Sequence, residues 1–192
     1  MSENTAAQTS AARTVATADH GKLDIQALVL LAVLLAAGFI LNFTVGKAIS
    51  GISGGLISPE FIISAFCLTI LVVRPNLPQA LVIGLISAAV IQVTTTSPFI
   101  DFAAEGIAAM LMAGIVAAGM ASPAKKFVPL AGSFVTTVVS GVIFMLIKIA
   151  MVGGAAELAA AMLPVVVLTG VFNAILVSAL YLPIKAALKL AD

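Results

Sequence analysis

Long apolar stretches, separated by short groups of glycines, prolines and charged residues, run through most of the sequence. A helix needs about 20 mostly apolar residues to cross roughly 30 Å of hydrocarbon. The pattern therefore favours membrane-spanning helices over the elements of a water-soluble domain. The approximate limits of the stretches are residues 25–43, 58–73, 79–93, 102–120, 128–152 and 156–182. We predict an all-α fold, an integral membrane six-helix bundle.

The two ends of the chain lack this apolar pattern. The first 20 residues are rich in Ser, Thr and Ala and contain no apolar core, which is typical of a disordered tail and not of a signal peptide. We predict a cytoplasmic N-terminal tail over residues 1–24, a six-helix membrane domain over 25–185 and a cytoplasmic C-terminal tail over 186–192. Because further spans follow the first apolar stretch, we expect that stretch to be retained.

Composition supports the membrane assignment and excludes several functions. Hydrophobic residues make up 62% of the chain and charged residues only 9%, whereas about a quarter of the residues of a soluble domain are charged. A net charge of +1 provides no basic surface for nucleic acid. Cys67 is the only cysteine, so neither an internal disulfide nor a Cys-based metal site can form. We expect no metal and no cofactor, and the lipid bilayer is the first predicted partner.

The distribution of basic residues predicts the orientation, because short cytoplasmic loops carry an excess of Lys and Arg. With the N-terminus inside the cell, seven basic residues lie on the cytoplasmic side: Arg13, Lys22, Arg74, Lys125, Lys126, Lys185 and Lys189. Only Lys47 and Lys148 lie at or near the outer side. An even number of spans returns the C-terminus to the cytoplasm, so both termini are predicted to be cytoplasmic.

Acidic and hydroxyl side chains concentrate in the predicted outer loops. Asp101 and Glu105 are four residues apart and therefore share one helical face, where their like charges repel. A bound cation or ammonium group would relieve this repulsion, although both acids, like Glu60, are also ordinary residues for the first turn of a helix. Thr95 and Thr96 lie in the turn before these acids. We include all five in a candidate binding site.

Three further residues complete the candidate site. Asn173 lies near the middle of the last apolar stretch, where a buried amide must hydrogen-bond either a neighbouring helix or a ligand. Lys148 lies four residues inside the end of the fifth stretch, where it either extends to the interface or pairs with a carboxylate. Phe99 or Phe172 could pack on a flat apolar group of the ligand.

Motifs for catalysis are missing from the sequence. His20, the only histidine, lies in the polar tail, so neither an intramembrane Ser–His dyad nor an H-E-x-x-H zinc site can be built. The chain also lacks a G-x-x-x-x-G-K-[ST] phosphate loop, so it cannot drive transport with an ATPase of its own. We predict that the protein is not an enzyme.

Several short motifs resemble a bacterial family of tryptophan transporters. They are residues 54–61 (GGLISPEF), residues 82–85 (VIGL), the run of threonines at 94–96, and Asn173 in its apolar context. The likeness extends over most of residues 25–185. After the threonines the sequence departs from the family pattern: the loop shortens to residues 97–101, and Glu105 stands near the position of the family's lysine.

The resemblance implies similarity to the S components, the substrate-binding subunits of energy-coupling factor (ECF) transporters of the bacterial plasma membrane. Such a subunit has six helices and an outward pocket, and works with a transmembrane coupling subunit and two ATPase subunits. In these proteins an A-x-x-x-A motif of the first helix docks on the coupling subunit, and Ala32 and Ala36 match this motif in position.

The sequence therefore predicts a membrane subunit that captures an extracellular small molecule, either a tryptophan-like amino acid or a vitamin-like compound. The predicted substrate-binding residues are Glu60, Thr95, Thr96, Phe99, Asp101, Glu105, Lys148 and Asn173. Two alternatives stay open. The chain could be a stand-alone secondary transporter, coupled to H⁺ or Na⁺ and acting as a homo-oligomer, or a structural membrane protein without a ligand.

Overall fold

The computed structural model describes residues 23–52, 60–93, 95, 97–153 and 155–188, and every regular element within these ranges is a helix. The α-helices are α1 (Ile25–Leu41), α2 (Lys47–Ile52), α3 (Phe61–Val73), α4 (Leu77–Ile91), α5 (Ile100–Gly119), α6 (Val128–Val152) and α7 (Ala155–Ala187). A π-helical turn over Asn42–Gly46 joins α1 to α2, and a 3₁₀ turn over Lys125–Phe127 precedes α6. The predicted all-α fold is confirmed for the described residues.

Four helical segments are long and apolar enough to cross a membrane. They are Ile25–Ile52, Ile100–Gly119, Lys125–Val152 and Ala156–Ala187. The chain is thus a multi-pass membrane protein by the length and composition of its helices. α3 and α4 are also apolar but have 13 and 15 residues, which at about 1.5 Å per residue is roughly 20 Å. Six complete crossings therefore stay a prediction.

The short helix α3 occupies the centre of the bundle. Its residues from Phe61 to Val72 are all buried, and it packs against α1, α5 and α7. A helix that is apolar on every side can bury its whole surface in this way, and the sequence of α3 has only Ser64 and Thr69 as polar residues. The hydroxyl of Thr69 is satisfied within the helix, donating to the carbonyl of Ala65 at 2.9 Å. The start of α3 consequently lies inside the protein.

Helix limits agree with the sequence at some ends and differ at others. α6 has the limits expected for the fifth stretch. The first helix, expected to end near residue 43, continues to Ile52 because the π-helical turn carries the chain past Asn42 without a break. The second stretch was expected to begin at residue 58; residues 58 and 59 lie outside the described residues, and Glu60 is the N-cap of α3. α7 extends to Ala187, beyond the expected start of the C-terminal tail.

Gly84 sets the distance between α4 and α5. A Cβ atom placed on Gly84 would lie 2.6 Å from the carbonyl oxygen of Glu105 and 2.8 Å from the Cβ of Ala109. Both values are below the contact distance of carbon with oxygen or carbon, so only glycine lets the backbones come this close. Since Glu105 lies at the contact, the position of its backbone depends on the absence of a side chain at Gly84.

We expect Gly84→Ala to destabilise the protein by about 1–3 kcal/mol, because the new methyl group forces α4 and α5 apart. Gly114→Ala is the matched control, since no atom lies within 4 Å of a Cβ at Gly114. Thermal unfolding in detergent can be followed with a thiol-reactive dye, because Cys67 is the only cysteine and is fully buried in the fold. Equal unfolding temperatures for the two variants would contradict the close packing.

Candidate functional site

A cavity of about 320 Å³ lies where the start of α3, the end of α4 and the start of α5 meet α6 and α7. Eight of the side chains that line it are polar, although the surrounding helices are strongly apolar. Three of the eight are carboxyls, those of Glu60, Asp101 and Glu105. The other five are an amide and four hydroxyls, those of Asn42, Thr95, Thr137, Ser140 and Thr169.

The carboxyls of α5 are withdrawn from solvent. Asp101 is 6% exposed and Glu105 is 2% exposed, and the four-residue spacing places both on the cavity face of the helix. Gln92 Nε2 donates a hydrogen bond to Asp101 Oδ2 at 3.2 Å. Glu105 Oε2, by contrast, is buried without a hydrogen-bond partner. Of the two acids of α5, Asp101 is therefore fixed by a hydrogen bond and Glu105 has an unused acceptor.

The start of α3 is held by two asparagines. Asn173 Nδ2 donates to the carbonyl oxygen of Glu60 at 3.2 Å and to Thr137 Oγ1 at 3.4 Å. The backbone N–H of Phe61 donates to Asn42 Oδ1 at 3.4 Å, across 19 residues of chain. Asn173 is itself fully buried and does not line the cavity. It therefore acts as a positioning residue, which fixes Glu60 and Thr137 in the cavity wall.

Gln92 organises the turn between α4 and α5. Its Oε1 accepts the backbone N–H of Phe99 at 3.0 Å, while its Nε2 binds Asp101 and the carbonyl of Ala88. Phe99 adopts a left-handed backbone conformation with φ of 71° and directs its ring outward, where it is 77% exposed. One amide side chain thus closes the turn and orients the first acid of α5.

Lys148 forms a hydrogen bond outside the cavity and does not line it. Its ammonium group donates to Ser97 Oγ at 3.0 Å and lies 5.7 Å from the centre of the Phe144 ring. This hydrogen bond ties α6 to the turn before α5. The hypothesis that Lys148 contributes a cation to the binding site therefore receives no support from its position.

The predicted site residues fall into three groups. Glu60, Thr95, Asp101 and Glu105 line the cavity together. Asn173, Lys148 and Phe99 lie outside its lining, in the positions given above. Thr96 lies outside the described residues, and so does the rest of the GGLISPEF motif before Glu60. The predicted docking residues Ala32 and Ala36 are exposed on the surface of α1, away from the cavity.

Several lining residues were missed by the sequence analysis. On α6, Thr137, Ser140 and Phe144 recur at spacings of three and four and face the cavity. With Ser133 and Thr136, the two hydroxyl residues give this apolar helix a polar side over residues 133–140. That spacing was visible in the sequence and could have identified α6 as a wall of the site.

The remaining lining of the cavity is apolar. Phe144, Met162, Val165 and Val166 form part of the wall on α6 and α7, and Ile63 and Ile91 contribute from α3 and α4. A site with convergent polar groups and an apolar wall is typical of small-molecule binding sites, whose volumes are about 300–1,000 Å³. Within the described ranges, no three His, Cys, Asp or Glu residues are arranged to hold a metal ion.

Comparisons with known proteins found no matching family model, no matching curated protein and no matching solved structure. The likeness to tryptophan transporters thus stays a prediction from short motifs. Of those motifs, Gly84 lies at the contact of α4 with α5, Thr95 lines the cavity and Asn173 fixes its wall.

We expect Asn173→Ala to loosen the start of α3, because the carbonyl of Glu60 loses its side-chain donor. Hydrogen–deuterium exchange of the first turn of α3 should accelerate, while exchange of α4 stays unchanged. Asn76→Ala is the matched control, because it removes the amide that caps α4 and accepts the N–H of Gln79. Loss of this cap should lower the free energy of unfolding by about 1 kcal/mol. It should accelerate exchange at the start of α4 only. Faster exchange at the start of α3 in both variants, or in neither, would contradict the positioning role.

Proposed function

We propose that this chain is the substrate-specific membrane subunit of an ECF-type uptake transporter, which captures an extracellular small molecule in the cavity between α3, α5, α6 and α7. The observation that carries the proposal is the cavity itself, with eight polar side chains inside an apolar helical bundle. Polar groups within a membrane are costly and mark ligand or ion sites. A purely structural protein would gain nothing from this cost.

The proposed setting is the bacterial plasma membrane, with both termini in the cytoplasm and the cavity open toward the outside. Four described basic residues support this orientation. Arg74 follows α3 at the end opposite Glu60, Lys125 and Lys126 precede α6, and Lys185 lies near the end of α7. All four thus belong to the end of the bundle away from the cavity, as expected if that end faces the cytoplasm.

The proposed partners are a transmembrane coupling subunit and two ATPase subunits. The missing phosphate loop supports an external energy source. On α1, the exposed side chains of Ala32 and Ala36 lie one turn apart, and two small residues at this spacing allow another helix to approach closely. The resemblance suggests a tryptophan-like amino acid or a vitamin-like compound as the solute.

A second candidate function is a stand-alone secondary transporter driven by H⁺ or Na⁺. It is favoured by the buried carboxyls of Asp101 and Glu105, because acids buried in a membrane protein can take up and release the coupling ion. The two candidates differ in their source of energy and not in the location of the solute site.

Purification from native membranes distinguishes the two candidates. We expect the chain to co-isolate with a coupling subunit and ATPases, and the complex to carry a solute that mass spectrometry can identify. Ala32→Leu with Ala36→Leu should release the partners and keep the solute, since the larger side chains block the approach of a helix. The control variant, Ala156→Leu with Ala160→Leu, changes an exposed pair of the same spacing on α7 and should retain both the partner subunits and the solute. Ion-driven uptake by the chain alone in proteoliposomes would instead establish the second candidate.

A further inference from the structure

The charges that line the cavity restrict the solute. Of the eight polar lining residues, three are acids and five are neutral, and none of the described lining residues is Lys, Arg or His. Lys148, the basic residue of α6 nearest in sequence to Phe144, donates to Ser97 and does not line the cavity. The site can therefore offer carboxyls, hydroxyls and an amide, but no basic side chain.

Glu105 has an acceptor atom that the protein does not use. Its side chain is 2% exposed and lines the cavity, and Oε2 is buried without a hydrogen-bond partner. A buried carboxylate without a donor is strongly unfavourable. A donor from the ligand, preferably one that carries positive charge, removes this cost. The unused acceptor of Glu105 is a second observation, separate from the excess of acids in the lining, and it also favours a ligand that donates a hydrogen bond from a positively charged group.

The carboxyls are not placed to share a metal ion. Within the described residues, no group of three His, Cys, Asp or Glu is close enough for that purpose. The acids instead belong to different parts of the wall, Glu60 before α3 and Asp101 with Glu105 on α5. A cavity of about 320 Å³ also exceeds what a bare ion needs and matches a small organic molecule.

The apolar part of the wall predicts the rest of the ligand. Phe144 and Met162 are large, polarisable side chains, and Val165 and Val166 add branched aliphatic surface beside them. This surface accommodates a ring or a short aliphatic body.

We infer that the solute is an organic monoamine, positively charged at its nitrogen and carrying an apolar body without a carboxylate. This inference rests on the proposed function, because it assumes that the cavity is the site of solute capture. The ammonium group donates to Glu105, while Asp101 and Glu60 add negative charge in the same cavity, and the apolar body packs against Phe144 and the α7 wall. A zwitterion such as tryptophan is disfavoured, because its carboxylate meets three acids and no basic group in the described lining.

Matched ligand triplets test the inference. Each triplet contains an amine, the corresponding amino acid and the corresponding carboxylic acid on one apolar body, for example tryptamine, tryptophan and indole-3-propionate. Triplets built on indole, phenyl and butyl groups vary the size of the apolar body from large to small, within what a cavity of about 320 Å³ can hold. Binding to the purified full chain, freed of bound solute, can be measured by calorimetry. We expect at least one amine to bind ten-fold or more tightly than both of its partners.

A charge-removing variant tests the assigned residue. Glu105→Gln keeps the shape of the side chain and should weaken binding of the best amine at least ten-fold. Glu157→Gln, the same substitution at an exposed acid of α7, should leave the affinity unchanged. Protection of Cys67 from a thiol reagent reports whether each variant is folded. If Glu105→Gln does not fold, Asp101→Asn replaces it with the same expectation.

The outcomes separate this inference from the proposed function. An amino acid or acid that binds as tightly as its amine would overturn the inference and leave solute capture intact. Failure of every triplet to bind would also overturn it, while a solute that co-purifies with the native protein would still support capture. Unchanged amine affinity in folded Glu105→Gln would show that the charge of Glu105 does not hold the ligand.

Discussion

The structure depends on the hydrogen bonds that hold the start of α3 inside the bundle. The first N–H groups of any helix lack partners within that helix, and hydrocarbon supplies no water to replace them. Because α3 is buried along its length, its first turn must be satisfied by other side chains. Asn42 accepts the N–H of Phe61, and Asn173 donates to the carbonyl of Glu60. Two amides from distant parts of the chain therefore determine where α3 begins.

The cavity follows from that placement. Fixing the start of α3 brings Glu60 to the level of the first turns of α5, and Gly84 lets α4 approach α5 closely enough to hold Glu105 there. Gln92 then closes the turn between α4 and α5 and orients Asp101. Three acids from two segments, the start of α3 and the first turns of α5, thus meet around one space because backbone contacts and amide hydrogen bonds bring these segments together. Burying three acids is costly, and a bound proton or a bound cationic group can lower that cost.

The sequence predicted the membrane-spanning character and several helix limits, because hydropathy and breaker residues are local signals. It also predicted four of the lining residues, because acids and hydroxyls stand out in an apolar chain. It could not give the conformation of the turn before α5, where the left-handed backbone of Phe99 leaves its ring exposed instead of in the cavity. Neither could it show the depth of α3, so it left open whether Asn173 bonds a ligand or a neighbouring helix; in the structure its amide donates to the carbonyl of Glu60 and to Thr137. The extension of α1 to Ile52 depends on a π-helical turn, which has no clear sequence signal.

The same acids give the two candidate functions a common physical requirement. In either case, a proton or another positive charge at Glu105 lowers the cost of its burial. A secondary transporter supplies that charge with a coupling ion, which must leave the site together with or after the solute. If the solute itself carries the charge, no coupling ion is needed at this position, and energy for release must come from elsewhere. A cationic solute in this cavity would therefore suit a subunit powered by partner ATPases, because the solute itself supplies the charge that a coupling ion would otherwise bring.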